Sequence, residues 1–342
     1  MTRLAAIRGC LIGTAIGDAL GLPAEGLSQQ RAARWWKGEW RMRLLPGAGM
    51  VSDDTEHTYA VAEALSVANG DVEKFRRVLA GKLRWWFAAL PAGVGMATAR
   101  ACIKLWLGFA PTKSGVFSAG NGPAMRSALI GVFFREDPVR RREFVSASSR
   151  LTHTDPLAET AALAIAEASA CGANGGDREA FVSSLAGMAD SDKWRRAVSD
   201  ISGHLASNRS TREFACAMGL DRGVSGYALH TVPVALYAWL RHRDDFAKAL
   251  TSALDCGGDT DTVGAIVGAL AGASLGPDSI PVEWRNDLRD WPLSLSRLDA
   301  AATALAESQR VASIFWPFRC LRNVVFLFII LVHGFRRLLP PY

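Results

Sequence analysis

The chain has 342 residues, 49% of them apolar and 21% charged, with a formal net charge of +6. That length allows one large domain or two ordinary ones, and the composition is that of a soluble globular protein with a sizeable core. The positive excess is mild and its local runs are short (Arg140–Arg142, Arg336-Arg337), which excludes a dedicated nucleic-acid module and leaves only long-range attraction of an anionic ligand.

The first 21 residues superficially resemble a signal peptide, but Arg8 interrupts the apolar stretch and Gly and Asp follow it, so that reading is rejected. Gly9, Gly13, Gly17 and Gly21 recur every fourth residue. So do Gly264, Gly268, Gly272 and Gly276. Glycine costs about 1 kcal/mol relative to alanine inside a helix, so two such ladders predict helices whose backbones approach a neighbour closely. Helical periodicity also predicts helices over 56–68, 157–170 and 263–275, and the Ala/Leu/Trp tail of 226–240 favours helix despite Pro233. Gly-rich 172–177 and 275–281 read as loops, and strand patterns are scarce. The expected fold class is all-α.

Six scattered cysteines without a CxxC pair point to reduced thiols in a cytoplasmic protein rather than a disulfide frame or a zinc site. The organisation expected is one catalytic domain, 1–310, and a distinct tail, 311–342. Within the tail, Val324–Val332 is an uninterrupted apolar run of nine residues, flanked by Arg319, Arg322, Arg336 and Arg337. Nine is short of the roughly 20 that a spanning helix needs. Three readings of 314–339 stay open: a helix docked on the domain or on a second subunit, a membrane-surface anchor with Trp316 and the arginines at headgroup level, and a shallow hairpin insertion.

Two acidic knots stand out in this basic chain. "VSDDTEHT" (51–58) gathers Asp53, Asp54 and Glu56, and "DCGGDTDTVGA" (255–265) gathers Asp255, Asp259 and Asp261. Helix capping accounts for one carboxylate in each, with Asp53 and Glu56 forming a capping box and Asp259 or Asp261 capping the following helix. It leaves the others to repel one another and drift toward protonation. Ser52, Asp53, Asp54, Asp259, Asp261 and Thr262 form a hard oxygen set suited to two Mg²⁺ or Mn²⁺ ions about 4 Å apart.

"GCLIGTAIGDALGLPAEG", "SDDTEHT", "GNGPAMRSALIG", "THTDP", "GYALHT" and "DCGGDTDTVGAIVGALAGA" occur in an order that resembles the ADP-ribosylglycohydrolase family over residues 4–275. The resemblance implies a compact orthogonal multi-helix bundle, a binuclear Mg²⁺ or Mn²⁺ centre held by the same six residues, and hydrolysis of the bond joining ADP-ribose to an acceptor. The family's first motif usually begins with Thr; Ser52 supplies an equivalent hydroxyl. Glu25 matches a glutamate on a mobile loop that gates the substrate. Ser118, Gly120, Asn121, Gly122, His153 and Tyr227 match positions near the ligand, with backbone N–H groups before Pro123 expected to hold the pyrophosphate. The competing reading of His153 is a buried imidazole bonded to Asp155. Some relatives carry an acid where this chain has Ser118, and its absence weakens an arginine-type assignment.

The chemistry implied uses Asp54 or Glu25 as general base, with Asp261 beside them. The partner expected is an ADP-ribosylated protein or a small ADP-ribosyl conjugate. Two alternatives remain: a non-catalytic ADP-ribose-binding or immunity-type module, and a metal-dependent pyrophosphate or phosphoester hydrolase.

Overall fold

The computed structural model describes residues 1–37 and 39–339, so the last three residues of the expected tail lie outside the described residues. Among the described residues the chain folds into eighteen α-helices joined by turns, and β-type pairing is confined to isolated bridges. The predicted helices are present, three with longer bounds (Asp53–Ala68, Pro156–Ala173 and Thr260–Leu275) and one shifted to Ala228–Arg241, with Pro233 inside.

The two glycine ladders face each other. The first helix, Arg3–Gly21, runs antiparallel to Thr260–Leu275, pairing Gly9 with Gly272, Gly13 with Gly268 and Gly17 with Gly264. A Cβ added at Gly13 would sit 2.0 Å from the Gly268 carbonyl oxygen, and one at Gly17 only 1.9 Å from that of Gly264. No side chain fits between these backbones. Gly276 departs from the predicted ladder: it ends the second helix with a positive φ of 83°. Both helices are buried on every side, which explains their nearly all-round apolar and small composition.

The pairing has a consequence at its far end. Gly21 meets Thr260, whose hydroxyl donates to the Gly21 carbonyl at 2.8 Å. The C-terminal end of the first helix therefore lies beside Asp259 and Asp261. Three residues before that end, Asp18 is fully buried and accepts the backbone N–H groups of Ser52 (2.9 Å) and Thr55 (3.1 Å) and the Thr55 hydroxyl (2.5 Å). Asp18 thus fixes the start of the Asp53–Ala68 helix against the same corner. The two acidic knots meet because a glycine register sets the distance.

The tail forms one helix, Trp316–Arg336, which by length and composition is enough to cross a bilayer and is longer than the nine-residue run suggests. It docks on the body by its polar side. Arg319, Arg322, Asn323 and His333 are buried with Phe326, while Phe318, Leu321, Val324, Phe328, Val332 and Phe335 are exposed. Arg322 pairs with buried Asp290 at 2.7 Å and donates to the Val51 carbonyl at 2.5 Å. Asn323 donates to the Ala89 carbonyl at 3.0 Å, and His333 Nε2 lies 3.0 Å from the Pro23 carbonyl. The six cysteines are free, and burial pushes the thiols of Cys10, Cys102 and Cys256 up to about 12, so they are inert.

Candidate active site

Ser52, not Asp53, is the N-cap of the Asp53–Ala68 helix; its hydroxyl accepts the Asp54 N–H at 3.3 Å. The expected Asp53–Glu56 capping box does not form, because Glu56 turns away to accept the Trp86 indole N–H at 2.7 Å. At the second knot Asp259 occupies the N-cap position, yet its side chain accepts from Asn121 Nδ2 at 2.6 Å instead of capping. Capping therefore uses none of the four aspartates.

The knots touch directly. Thr262 and Ser52 hydroxyls each lie 3.2 Å from Asp54 Oδ2, while Asp54 Oδ1 and Asp261 Oδ1 are buried without a hydrogen-bond partner. Burial first, then the charges of neighbouring carboxylates, push Asp53, Asp54 and Asp261 well above the usual carboxylate range. Asp18 is raised to about 6 by burial, against the pull of its Ser52 and Thr55 hydrogen bonds. Among the described residues no three His, Cys, Asp or Glu side chains close into a ready-made metal cage. What they offer is a hard-oxygen set with unpaired, charge-stressed atoms, and that chemistry fits a divalent cation such as Mg²⁺ or Mn²⁺.

Backbone geometry explains the glycines around them. Gly258 has φ of 83° and lies between Leu27 and Val224; a Cβ there would meet the Val224 carbonyl oxygen at 2.0 Å. The Gly26 N–H donates to the Gly258 carbonyl, and the Gly258 N–H to Leu27, both at 2.7 Å. Arg337 from the tail donates to the Glu25 carbonyl at 2.9 Å. These bonds hold the loop at Glu25 and at the two residues after it. Burial and the charge of Asp259 raise the Glu25 pKa, while Arg337 pulls it back.

These elements enclose a cleft of about 520 Å³, within the 300–1,000 Å³ common for ligand sites. Glu25, Asp53, Asp259, Asp261 and Thr262 line it together with Ser118, Gly120, Asn121, Gly122 and His153. Among the described residues its lining includes no Lys or Arg. Ser52 and Asp54 lie behind the acidic wall, Asp54 only 1% exposed. Tyr227 also stands outside the lining: it is half-buried at the N-cap of Ala228–Arg241, its ring 5.0 Å from His230, and Ser225 and Gly226 line the cleft in its place.

His153 does not bond Asp155, which caps the Pro156–Ala173 helix by accepting the Leu157 N–H at 2.8 Å. Its Nδ1 instead lies 2.9 Å from the Thr152 hydroxyl, and burial lowers its pKa to about 3, so the ring is neutral at working pH. A Cβ at Gly120 or Gly122 would come 2.9 Å from that ring, which is why both positions are glycine. The pyrophosphate cradle expected before Pro123 is small. The helix there is four residues long, Gly122–Met125, and the Asn121 N–H is already given to the Gly226 carbonyl at 2.9 Å.

Two functional supports escaped the sequence reading. Asp18 lies within the first quoted motif, "GCLIGTAIGDALGLPAEG", where the sequence reading gives it no role of its own. Arg126 closes the "GNGPAMR" motif; it is fully buried and donates to the Gly122 carbonyl (3.0 Å), the Thr152 hydroxyl (2.8 Å) and Ser148. It ties the Gly122 loop to the segment bearing His153. The signal for both was a charged residue among small and apolar ones inside a quoted motif.

Fold and cleft define an all-helical scaffold whose cleft is lined by carboxylates and by a Gly-Asn-Gly loop. The family model described as ADP-ribosylglycohydrolase matches residues 1–313. The chain belongs to the ADP-ribosylglycohydrolase family. It is 32% identical to an uncharacterized protein of Archaeoglobus fulgidus, covering 83% of this chain and 91% of that one. It is 28% identical to the ADP-ribosyl-[dinitrogen reductase] glycohydrolase of Rhodospirillum rubrum, covering 82% and 89%. A solved structure, an ADP-ribosylglycohydrolase-related protein complex, superposes with a TM-score of 0.68 at 30% identity, covering 90% of this chain and 98% of that chain.

Proposed function

We propose that the chain hydrolyses the bond between ADP-ribose and an acceptor, a modified protein side chain or another ADP-ribosyl conjugate, with two Mg²⁺ or Mn²⁺ ions held by Ser52, Asp53, Asp54, Asp259, Asp261 and Thr262. One observation carries this reading. A diphosphate ligand is anionic, yet among the described residues the cleft lining combines four carboxylates with no Lys or Arg. Such a wall repels the ligand unless divalent cations lie between them. The unpaired Asp54 and Asp261 oxygens are the atoms such cations would take. Bound there, the ions supply Lewis-acid stabilisation and a water of lowered pKa.

The chain's own residues do the rest. Glu25 lines the cleft with a raised pKa, which suits a general base better than Asp54, buried behind the wall. Asp54 is the holding residue, oriented by Ser52 and Thr262. Neutral His153 offers Nε2 as a hydrogen-bonding group and takes no part in proton transfer. Asn121 orients Asp259. An oxocarbenium-like transition state would face the carboxylates, where negative charge stabilises it.

The test incubates an ADP-ribosylated protein with the enzyme in Mg²⁺ or in EDTA and identifies the product by mass. Intact ADP-ribose, released only with the cation, is expected. Asp261→Ala should lose more than the roughly 10–100-fold that removing an outer-shell partner costs. AMP as product would mean pyrophosphate hydrolysis. ADP-ribose binding without turnover would mean a binding module. Full activity of Asp261→Ala at saturating Mg²⁺ would refute the site.

A further inference from the structure

The family match ends at residue 313, and the Trp316–Arg336 helix follows it. That helix is inverted relative to an ordinary packed helix. Arg319, Arg322, Asn323 and His333 face the protein, and a stripe through Phe318, Leu321, Val324, Phe328, Val332 and Phe335 faces outward. Phe328 is 68% exposed while Arg322 is 4% exposed. At about 1.5 Å per residue the stripe, from Phe318 to Phe335, runs roughly 25 Å, far more apolar length than scattered surface residues explain. The inward face is specifically bonded to Asp290, Val51, Ala89 and Pro23, so this orientation is built into the fold.

We propose that this face seats the protein on an anionic lipid bilayer, lying in the interface as a monotopic helix. Three observations favour lipid over a second protein. Exposed tryptophans collar the helix's N-terminal end: Trp316 packs on Trp85, Trp85 on Trp106, and Trp291 on Phe318. Tryptophan is enriched at the headgroup level of membranes. Between Val311 and Leu339 there is no Asp or Glu, and exposed Arg336 stands at the other end, complementary to acidic headgroups. The stripe itself carries only Phe, Leu and Val, without the hydrogen-bonding groups that a protein interface spreads through its area. The polar side cannot enter lipid, because Arg322, Asn323 and His333 are bonded to the body, so the helix lies on the bilayer and does not cross it.

Because Arg337 and His333 hold the Glu25 and Pro23 carbonyls, the attached helix is also the support of the cleft's rim. The proposal itself is independent of the hydrolytic reading. Flotation of the full-length protein tests it, with vesicles of phosphatidylcholine alone and of phosphatidylcholine mixed with phosphatidylserine; aggregate sinks, so only lipid-bound protein rises. The protein should float with the anionic vesicles, and Leu321→Glu/Phe328→Glu/Val332→Glu should reduce flotation by about tenfold or more. The milder Leu321→Ser/Phe328→Ser/Val332→Ser variant, checked by thermal melting, should fall in the same direction. Unchanged flotation of both variants, or failure of the wild-type chain to float, overturns the proposal. So does a lipid-free dimer that the same substitutions dissociate while nothing floats, which would make a second copy the occupant.

Discussion

Two long apolar helices, Arg3–Gly21 and Trp316–Arg336, meet the molecule in opposite ways. The first is packed on all sides and relies on the absence of side chains; its glycines let it lie backbone to backbone against Thr260–Leu275. The second relies on polar side chains for its attachment and leaves its apolar surface bare. Hydrophobic content therefore does not decide which surface is buried. In one helix the spacing of the smallest residues decides, and in the other the bonding needs of arginine, asparagine and histidine.

The largest expected effect comes from breaking the first arrangement. Gly13→Leu places a side chain where even a Cβ would lie 2.0 Å from the Gly268 oxygen. The obstacle is backbone in a buried helix, which cannot turn aside as a side chain can. The cost should exceed the roughly 1–3 kcal/mol of ordinary overpacking, and soluble expression should be lost. A folded variant with near-normal melting would show that the ladder is not a tight contact.

On the tail helix the contrast can be drawn within one turn. Arg322→Ala strands buried Asp290 without its cation and frees the Val51 carbonyl, for an expected loss of about 3–5 kcal/mol. Val324→Ser, two residues on and exposed, should change stability by no more than about 0.5 kcal/mol. Denaturant melts of the pair measure both. Equal effects would mean that the helix does not dock by its polar side.

The same contrast explains what could be read before the structure. The all-helical class, the ladders and the acidic knots were legible because each is a periodic or local pattern: glycine every fourth residue, or carboxylates within a few positions. Ten of the proposed site residues line the cleft, since short motifs keep their residues together. What was missed depends on partners far along the chain. Asp18 has meaning only beside Ser52 and Thr55, and Arg126 only beside Gly122 and Thr152. Tyr227, expected near the ligand, stands just outside the lining, which Ser225 and Gly226 form beside it. The tail's direction was hidden because apolar periodicity marks a face without saying what covers it.

Carboxylates in the two regions also differ in what balances them, and this yields the last prediction. Asp290 has its cation within the chain, Arg322 at 2.7 Å. Asp53, Asp54 and Asp261 have mainly one another, and with Asp18 they hold protons more tightly folded than unfolded. For an acid with a raised pKa the folded state is favoured at low pH. The cation-free protein should therefore lose stability as pH rises from about 4, the ordinary carboxylate value, through about 6, where Asp18 titrates. Mg²⁺ or Mn²⁺ binds the ionised form and should reverse this, stabilising the protein at about pH 7.5 by about 2.7 kcal/mol at a hundred times the dissociation constant. At about pH 4.5 most of that gain should disappear, because the proton competes for the same oxygens. Thermal melting across pH with and without cation reads both slopes, and Arg322→Ala should shift the whole curve down without removing the cation's effect. A cation effect independent of pH would mean that the ions bind elsewhere than at these aspartates.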